Sequence, residues 1–272
     1  MHAVPLLLYA LSTGAYLAHF TRRQRSTGRL GTGLLAAALL AHTYLIGMQT
    51  VEIGHAPLAG TAAAVSAFVW LLGISYLYIE LTTEERAMGV LVTALLTLLF
   101  VIPALDRTIT PRPDVLRSPL FTFHVLAMLF AYASFALAFV IGVTYVLLFK
   151  EIKAKHLGFF YARLPSLQVL DLMNARIVTV GWMFLTAGIA IGAVWAAQVQ
   201  PSDDPRLQQM SVLDPKILVA LLSWAVYSFA VIARRVIGWT GRRAAWLSAL
   251  AFVIVLLNFV PVGYFLTKSH NF

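Results

Sequence analysis

The chain has 272 residues, 60% hydrophobic and only 11% charged, with a mean hydropathy of +0.84 and a formal net charge of +9. That balance excludes a soluble domain of this length and describes a polytopic membrane protein. The absence of cysteine excludes disulfides, thiol chemistry, iron–sulfur ligation and thioether attachment to the chain itself.

In chain order, eight apolar segments read as helical spans: 4–20, 30–49, 59–79, 87–105, 120–149, 177–199, 215–233 and 244–266. Each reaches or nearly reaches the length of a bilayer crossing, and the runs are continuous rather than alternating, so helices are expected and barrel strands are not. The first segment has no basic region before it and is followed by others, so it does not read as a cleaved signal. The expectation is an all-α fold, a single transmembrane helical domain over 1–272 with eight transmembrane helices and both termini extracytoplasmic. The fifth segment dominates, because Leu120 to Phe149 carries no charge and would rise about 45 Å as a helix.

The orientation rests on the basic residues of the connections. Arg22, Arg23, Arg25 and Arg29 lie between segments one and two, and Arg86 between three and four. Lys150, Lys153, Lys155, Arg163 and Arg176 lie between five and six, and Arg234, Arg235, Arg242 and Arg243 between seven and eight. Gathering 14 of the 20 basic residues on one side makes that side cytoplasmic. The surplus charge is accounted for by anionic lipid, so the bilayer is the expected partner and nucleic acid is not. The connection 151–175 mixes aromatic, basic and apolar residues. It reads as a cytoplasmic loop with an interfacial helix, or as the docking site of a membrane or cytoplasmic protein partner.

With that orientation, five of the seven histidines (His2, His42, His55, His124 and His270) fall in the outer half. His42 lies inside the second span, where it either bridges helices or binds something in a cavity. His124 opens the fifth span and His270 follows the eighth, and both imidazoles reach the outer interface. Neither has a partner at metal-site spacing, whereas an iron held axially needs only one histidine from each side. Trp195 belongs to an outer aromatic belt that also suits a flat apolar cofactor. Asp214-Pro215 reads as a helix N-cap with proline at the first position, followed by Lys216 at the membrane edge.

These residues carry a resemblance. The stretches 39–58 and 66–80, the run SPLFTFHVLAMLFAYASFALAF at 118–139, GAVWA at 192–196 with LDPKILVALLSWAVYSF at 213–229, and GWTGRRAAWLSALAFVIVLLNF at 238–259 resemble the cytochrome c assembly membrane proteins. That family includes the haem-handling subunit of system II cytochrome c synthases and the HemX and YpjD-like proteins. The resemblance covers most of the chain, and GWTGRRAAW is its most specific element. It implies His124 and His270 as axial ligands of the iron of a non-covalent haem b, with Trp195 and Lys216 beside it and His42 at an inner position. It also implies a bacterial cytoplasmic (inner) membrane location.

The chain departs from the haem-handling pattern in two places. The family's WGxxWxWDPKE segment is reduced to Trp195 and the run Leu213-Asp214-Pro215-Lys216, and Ile232 stands where a second intramembrane histidine precedes Arg234. The HemX-like or YpjD-like branches fit better than a complete synthase. The function implied is haem binding for transport, chaperoning or an accessory role in cytochrome c biogenesis, without covalent catalysis. The alternative is a cofactor-free regulatory or structural subunit that influences haem biosynthesis or a membrane partner. A haem between His124 and His270 would also require segments two, five and eight to meet at their outer halves.

Overall fold

The computed structural model describes residues 2–106, 118–155, 158–198 and 214–257. Among these, every regular element is helical. The order is α1 (Ala3–Arg22), α2 (Arg25–Ile53), α3 (Thr61–Thr83), α4 (Gly89–Leu105), α5 (Pro119–Lys153), the short α6 (Phe159–Arg163), α7 (Leu167–Gln198), α8 (Pro215–Ile232), a π segment (Ala233–Ile237) and α9 (Arg242–Leu257).

Six helices among the described residues, rather than eight, are long and apolar enough to cross a bilayer: α1, α2, α3, α5, α7, and α8 with its π extension. The expectation of eight spans, and the placement of both termini outside that was built on it, is corrected accordingly. Segment four is the clear shortfall. The Glu85 carboxylate accepts from the backbone N–H groups of Arg86 and Ala87 at 3.0 Å, so those residues form a turn. Helix α4 starts only at Gly89 and has 17 residues, about 26 Å of rise, with Pro103 in its last turn. The described part of segment eight, α9, has 16 residues. Hydropathy counts apolar residues along the chain and does not register where a turn consumes them.

Two helix groups are joined through α3. In the first, α1 packs on α2 and α4, and α3 closes on α4 and α2. In the second, α5 packs along α7 and against α9, while α8 lies on α7 and α9. Helix α3 bridges the groups through α5 and α7. Of the expected meeting of segments two, five and eight at their outer halves, α2 lies on the far side of α3 from α5; α5 meets α9 around Gly142 and Ala245, toward the basic face, and residues 258–266 of segment eight lie outside the described residues. Large apolar side chains such as Leu40 (72% exposed) and Val51 (81%) face outward, as a lipid-facing surface requires.

The most extensive contact, between α5 and α7, is made by a glycine stripe. Gly181, Gly188 and Gly192 share one face of α7. A Cβ on Gly181 would lie 2.5 Å from the Phe135 ring, and one on Gly188 2.9 Å from the Met128 sulfur. Small residues at this spacing let backbones approach closely, which is how helices associate where lipid removes the hydrophobic drive between them.

The basic residues gather on one face. The Arg23 guanidinium donates to the Ala162 carbonyl of α6, and Arg176 Nη1 donates to the Thr82 carbonyl at 2.6 Å. Arg242 lies 5.5 Å from the Phe149 ring centroid. The segment 151–175 contains α6, whose Tyr161 N–H donates to Glu151 at 2.8 Å.

Candidate functional site

His124 sits in the second turn of α5, at the end of the helix opposite Lys150 and Lys153. Its ring lies against the glycine stripe, where a Cβ on Gly192 would come within 2.5 Å of Nδ1. Nδ1 is 2.7 Å from the Gly188 carbonyl oxygen. A carbonyl can only accept, so Nδ1 carries the proton and the Nε2 lone pair is the basic site of the ring. Histidines that bind metal through Nε2 are oriented by this kind of hydrogen bond. Phe121 stands one turn earlier, 6.4 Å from the His124 ring and 4.9 Å from the ring of buried Trp195 in the last turn of α7. Phe121 thus stands between His124 and Trp195 at this end of the bundle.

Lys216 is in the first turn of α8. Its backbone N–H donates to Asp214 Oδ1 at 2.9 Å, so the expected N-cap is present, with Pro215 at the first helical position. Helix α8 runs antiparallel to α7, with Trp224 Nε1 donating to Thr186 and Trp182 Nε1 to Ser228. Lys216 therefore stands at the same end of the bundle as His124 and Trp195. His270 lies outside the described residues.

His42 belongs to the other helix group. It is fully buried, and both ring nitrogens are engaged: Nδ1 with the Tyr9 hydroxyl at 3.0 Å and Nε2 with the Ser66 hydroxyl at 2.9 Å. Phe100 of α4 packs edge-on against the ring at 4.6 Å. The side chain thereby links α1, α2, α3 and α4. Ile232, at the position of the family's second intramembrane histidine, is 54% exposed in the other group. Replacing His42 with leucine should strand the Tyr9 and Ser66 hydroxyls and cost about 1–2 kcal/mol, read as a lowered thermal midpoint in micelles, whereas glutamine should cost about half as much.

Two polar clusters escaped the sequence reading. Glu80 of α3 is completely buried. It accepts from the Tyr16 hydroxyl at 2.6 Å and from the Thr32 hydroxyl, and Arg86 Nε lies 3.6 Å away. The second cluster joins α7 to the turn after α8. Arg234 donates to both Asp171 oxygens, at 3.0 and 2.8 Å. Gly238 and Gly241, with φ of 75° and 63°, form the turn that brings the Gly241 N–H within 2.7 Å of Asp171. The GWTG run is therefore a backbone device for closing on that carboxylate. Glu80 followed six residues later by Arg86 was visible in the sequence, but nothing in it showed that Tyr16 and Thr32 fold onto the carboxylate. The Gly188–Gly192 spacing was the legible signal for the partner of His124.

Among the described residues no group of three or more His, Cys, Asp or Glu side chains is arranged to hold a bare metal ion. A haem iron can be held by the single oriented imidazole that His124 supplies, with Phe121 beside it and Trp195 beyond Phe121, so these residues fit the group.

A family model described as cytochrome C assembly protein matches residues 1–270. Among curated proteins, the chain is 26% identical over 263 residues to the cytochrome c biogenesis protein CcsA of Guillardia theta, covering 89% of this chain and 85% of that protein. It is 27% identical to CcsA of Chlorella vulgaris, covering 90% and 85% of the two chains. It is 25% identical to protein HemX of Brevibacillus brevis, covering 100% and 97%.

Proposed function

We propose, from the premise that the chain belongs to the cytochrome C assembly protein family, that it binds haem b non-covalently at the end of the bundle away from its basic face. It carries or holds that haem as a transporter, chaperone or accessory of cytochrome c biogenesis in a bacterial cytoplasmic membrane. The observation that supports this most is the His124 imidazole, proton-bearing at Nδ1 and held by the Gly188 carbonyl so that Nε2 is the ligating nitrogen. His124 and His270 would hold the iron of the haem, which when bound would supply a redox-active centre. Phe121 and Trp195 offer ring faces to the porphyrin, and Lys216 offers a cation to a propionate.

His42 is assigned to an inner or transit position. There His42 would hold the group through Nε2, the nitrogen now engaged by the Ser66 hydroxyl, with the Tyr9 hydroxyl keeping Nδ1 in place. The names of the relatives support the haem reading: CcsA proteins are named for cytochrome c biogenesis. The reading that lacks a cofactor, a regulatory or structural subunit acting through 151–175, draws on the near-complete overlap with a HemX protein.

The test is an absorption spectrum of the full chain purified from haem-replete membranes. A Soret band that falls at least several-fold in His124→Gln, with His42→Gln altering spin state or content separately, is the expected result. A chain that stays colourless after haem loading, or a His124→Gln variant with unchanged haem content, sinks the haem reading and leaves the subunit reading.

A further inference from the structure

At the basic face, α7, α8, the π segment and α9 enclose a small cavity that the haem reading does not use. It measures about 40 Å³ for the centres of water-sized spheres, room for about three waters and far too little for a tetrapyrrole. Its lining is mostly apolar, with Asn174, Thr179 and Ser248 as the uncharged polar members. Asn174 Nδ2 donates to Ser248 Oγ and to the Ala138 carbonyl, both at 3.0 Å, so this part of the lining is held rigidly. Val178, Val231 and Leu247 make apolar walls, and Arg234, Arg235 and Trp239 form the rim.

The four arginines near this rim are not equivalent. Arg234 is neutralised by Asp171, Arg242 lies over Phe149, and Arg243 is 6.0 Å from the Trp239 ring centroid. Arg235 is exposed and has no hydrogen-bond or ion-pair partner among the described residues. The π segment, a rare helix form frequent at functional sites, places Arg234 and Arg235 together at the mouth. The next two residues, Val236 and Ile237, are 78% and 58% exposed. A cation beside apolar side chains that face outward marks the headgroup boundary of a bilayer and not open water.

We propose that this cavity seats the phosphate headgroup of an anionic phospholipid. Arg235 pairs with the phosphate, Trp239 lies at headgroup level, and the acyl chains run down past Val236 and Ile237. The charge surplus supplies the attraction, the small pocket beside Arg235 admits a headgroup branch, and the apolar flank distinguishes a lipid from a free anion. The site lies at the opposite end of the bundle from His124, so it stands or falls independently of haem.

The experiment titrates phosphatidylglycerol into the full chain in a neutral detergent and follows the apparent Tm. A saturable rise of about 5 °C is expected, as ligand binding to the folded state alone produces, with no rise from phosphatidylcholine or inorganic phosphate. Arg235→Gln should lose most of that rise. Leu247→Trp, which fills the cavity and leaves every charge in place, should lose it as well. Arg25→Gln, elsewhere on the same basic face, should keep it. The proposal is overturned if Arg235→Gln retains the full response, if Arg25→Gln loses as much, or if phosphatidylcholine or inorganic phosphate acts equally.

Discussion

Glu80→Ala is expected to lower the unfolding free energy by about 3 kcal/mol, the low end of what breaking a buried ion pair costs. The carboxylate is fully buried and gathers the Tyr16 and Thr32 hydroxyls with the Arg86 guanidinium. Removing it strands the buried Tyr16 hydroxyl between α1 and α3 and leaves Arg86 without its carboxylate, while the Thr32 hydroxyl keeps the Gly28 carbonyl and Arg86 Nε. The low end applies because the Arg86 side chain is 29% exposed and can turn toward water. The surrounding packing cannot collapse to compensate. Cβ atoms on Gly31 and Gly89 would already lie 2.9 and 2.4 Å from the Tyr16 ring, so that ring is clamped between helices. Glu80→Gln keeps a carbonyl acceptor for Tyr16 and should cost less than half as much. The measurement is thermal or denaturant unfolding in micelles. A Glu80→Ala variant as stable as the parent would mean that the cluster contributes nothing net.

Gly192→Ala is expected to weaken haem binding by about 10- to 100-fold, the usual cost of disturbing the group that orients a metal-binding histidine. The added methyl would sit 2.5 Å from His124 Nδ1 and 2.7 Å from Cε1. The ring must therefore swing away from the Gly188 carbonyl, losing both its tautomer and its aim. Overpacking of this kind also costs about 1–3 kcal/mol of stability. Gly188→Ala, which presses on Met128 rather than on the imidazole, provides the comparison. If both variants lose stability alike but only Gly192→Ala loses haem, His124 is a ligand oriented from α7. Equal haem retention in the two would show that the imidazole serves packing alone.

How much of the site was legible in the sequence differs residue by residue. His124 stood out as a candidate because a histidine opening a long uncharged run is unusual, and Trp195 because GAVWA resembles part of a longer tryptophan-rich pattern. Asp214 and Pro215 were read correctly as a helix start because capping is local chemistry, complete within four residues. The count of crossings was not legible. Residues 87 and 88 are as apolar as the helix they precede, and the Glu85 carboxylate holds the first of them in a turn. Whether His42 bridges or ligates was also undecided by its neighbours Ala41 and Thr43, since its partners come from positions 33 residues before and 24 after it.

By itself the amino-acid sequence determined that this chain is a helical membrane protein of the cytochrome c assembly kind, with its cations gathered on one face. The helical membrane character and the gathered cations follow from composition and run length, and the family from motifs that resemble it, none of which needs knowledge of what packs against what. Only the tertiary structure decided that α2 and α5 lie on opposite sides of α3, that Glu80 is buried among three donors, and that Gly188 and Gly192 orient His124. Each depends on which faces of distant helices meet. In a membrane that choice rests on small residues and satisfied polar groups, because an apolar side chain facing lipid and one facing a neighbouring helix look alike along the chain.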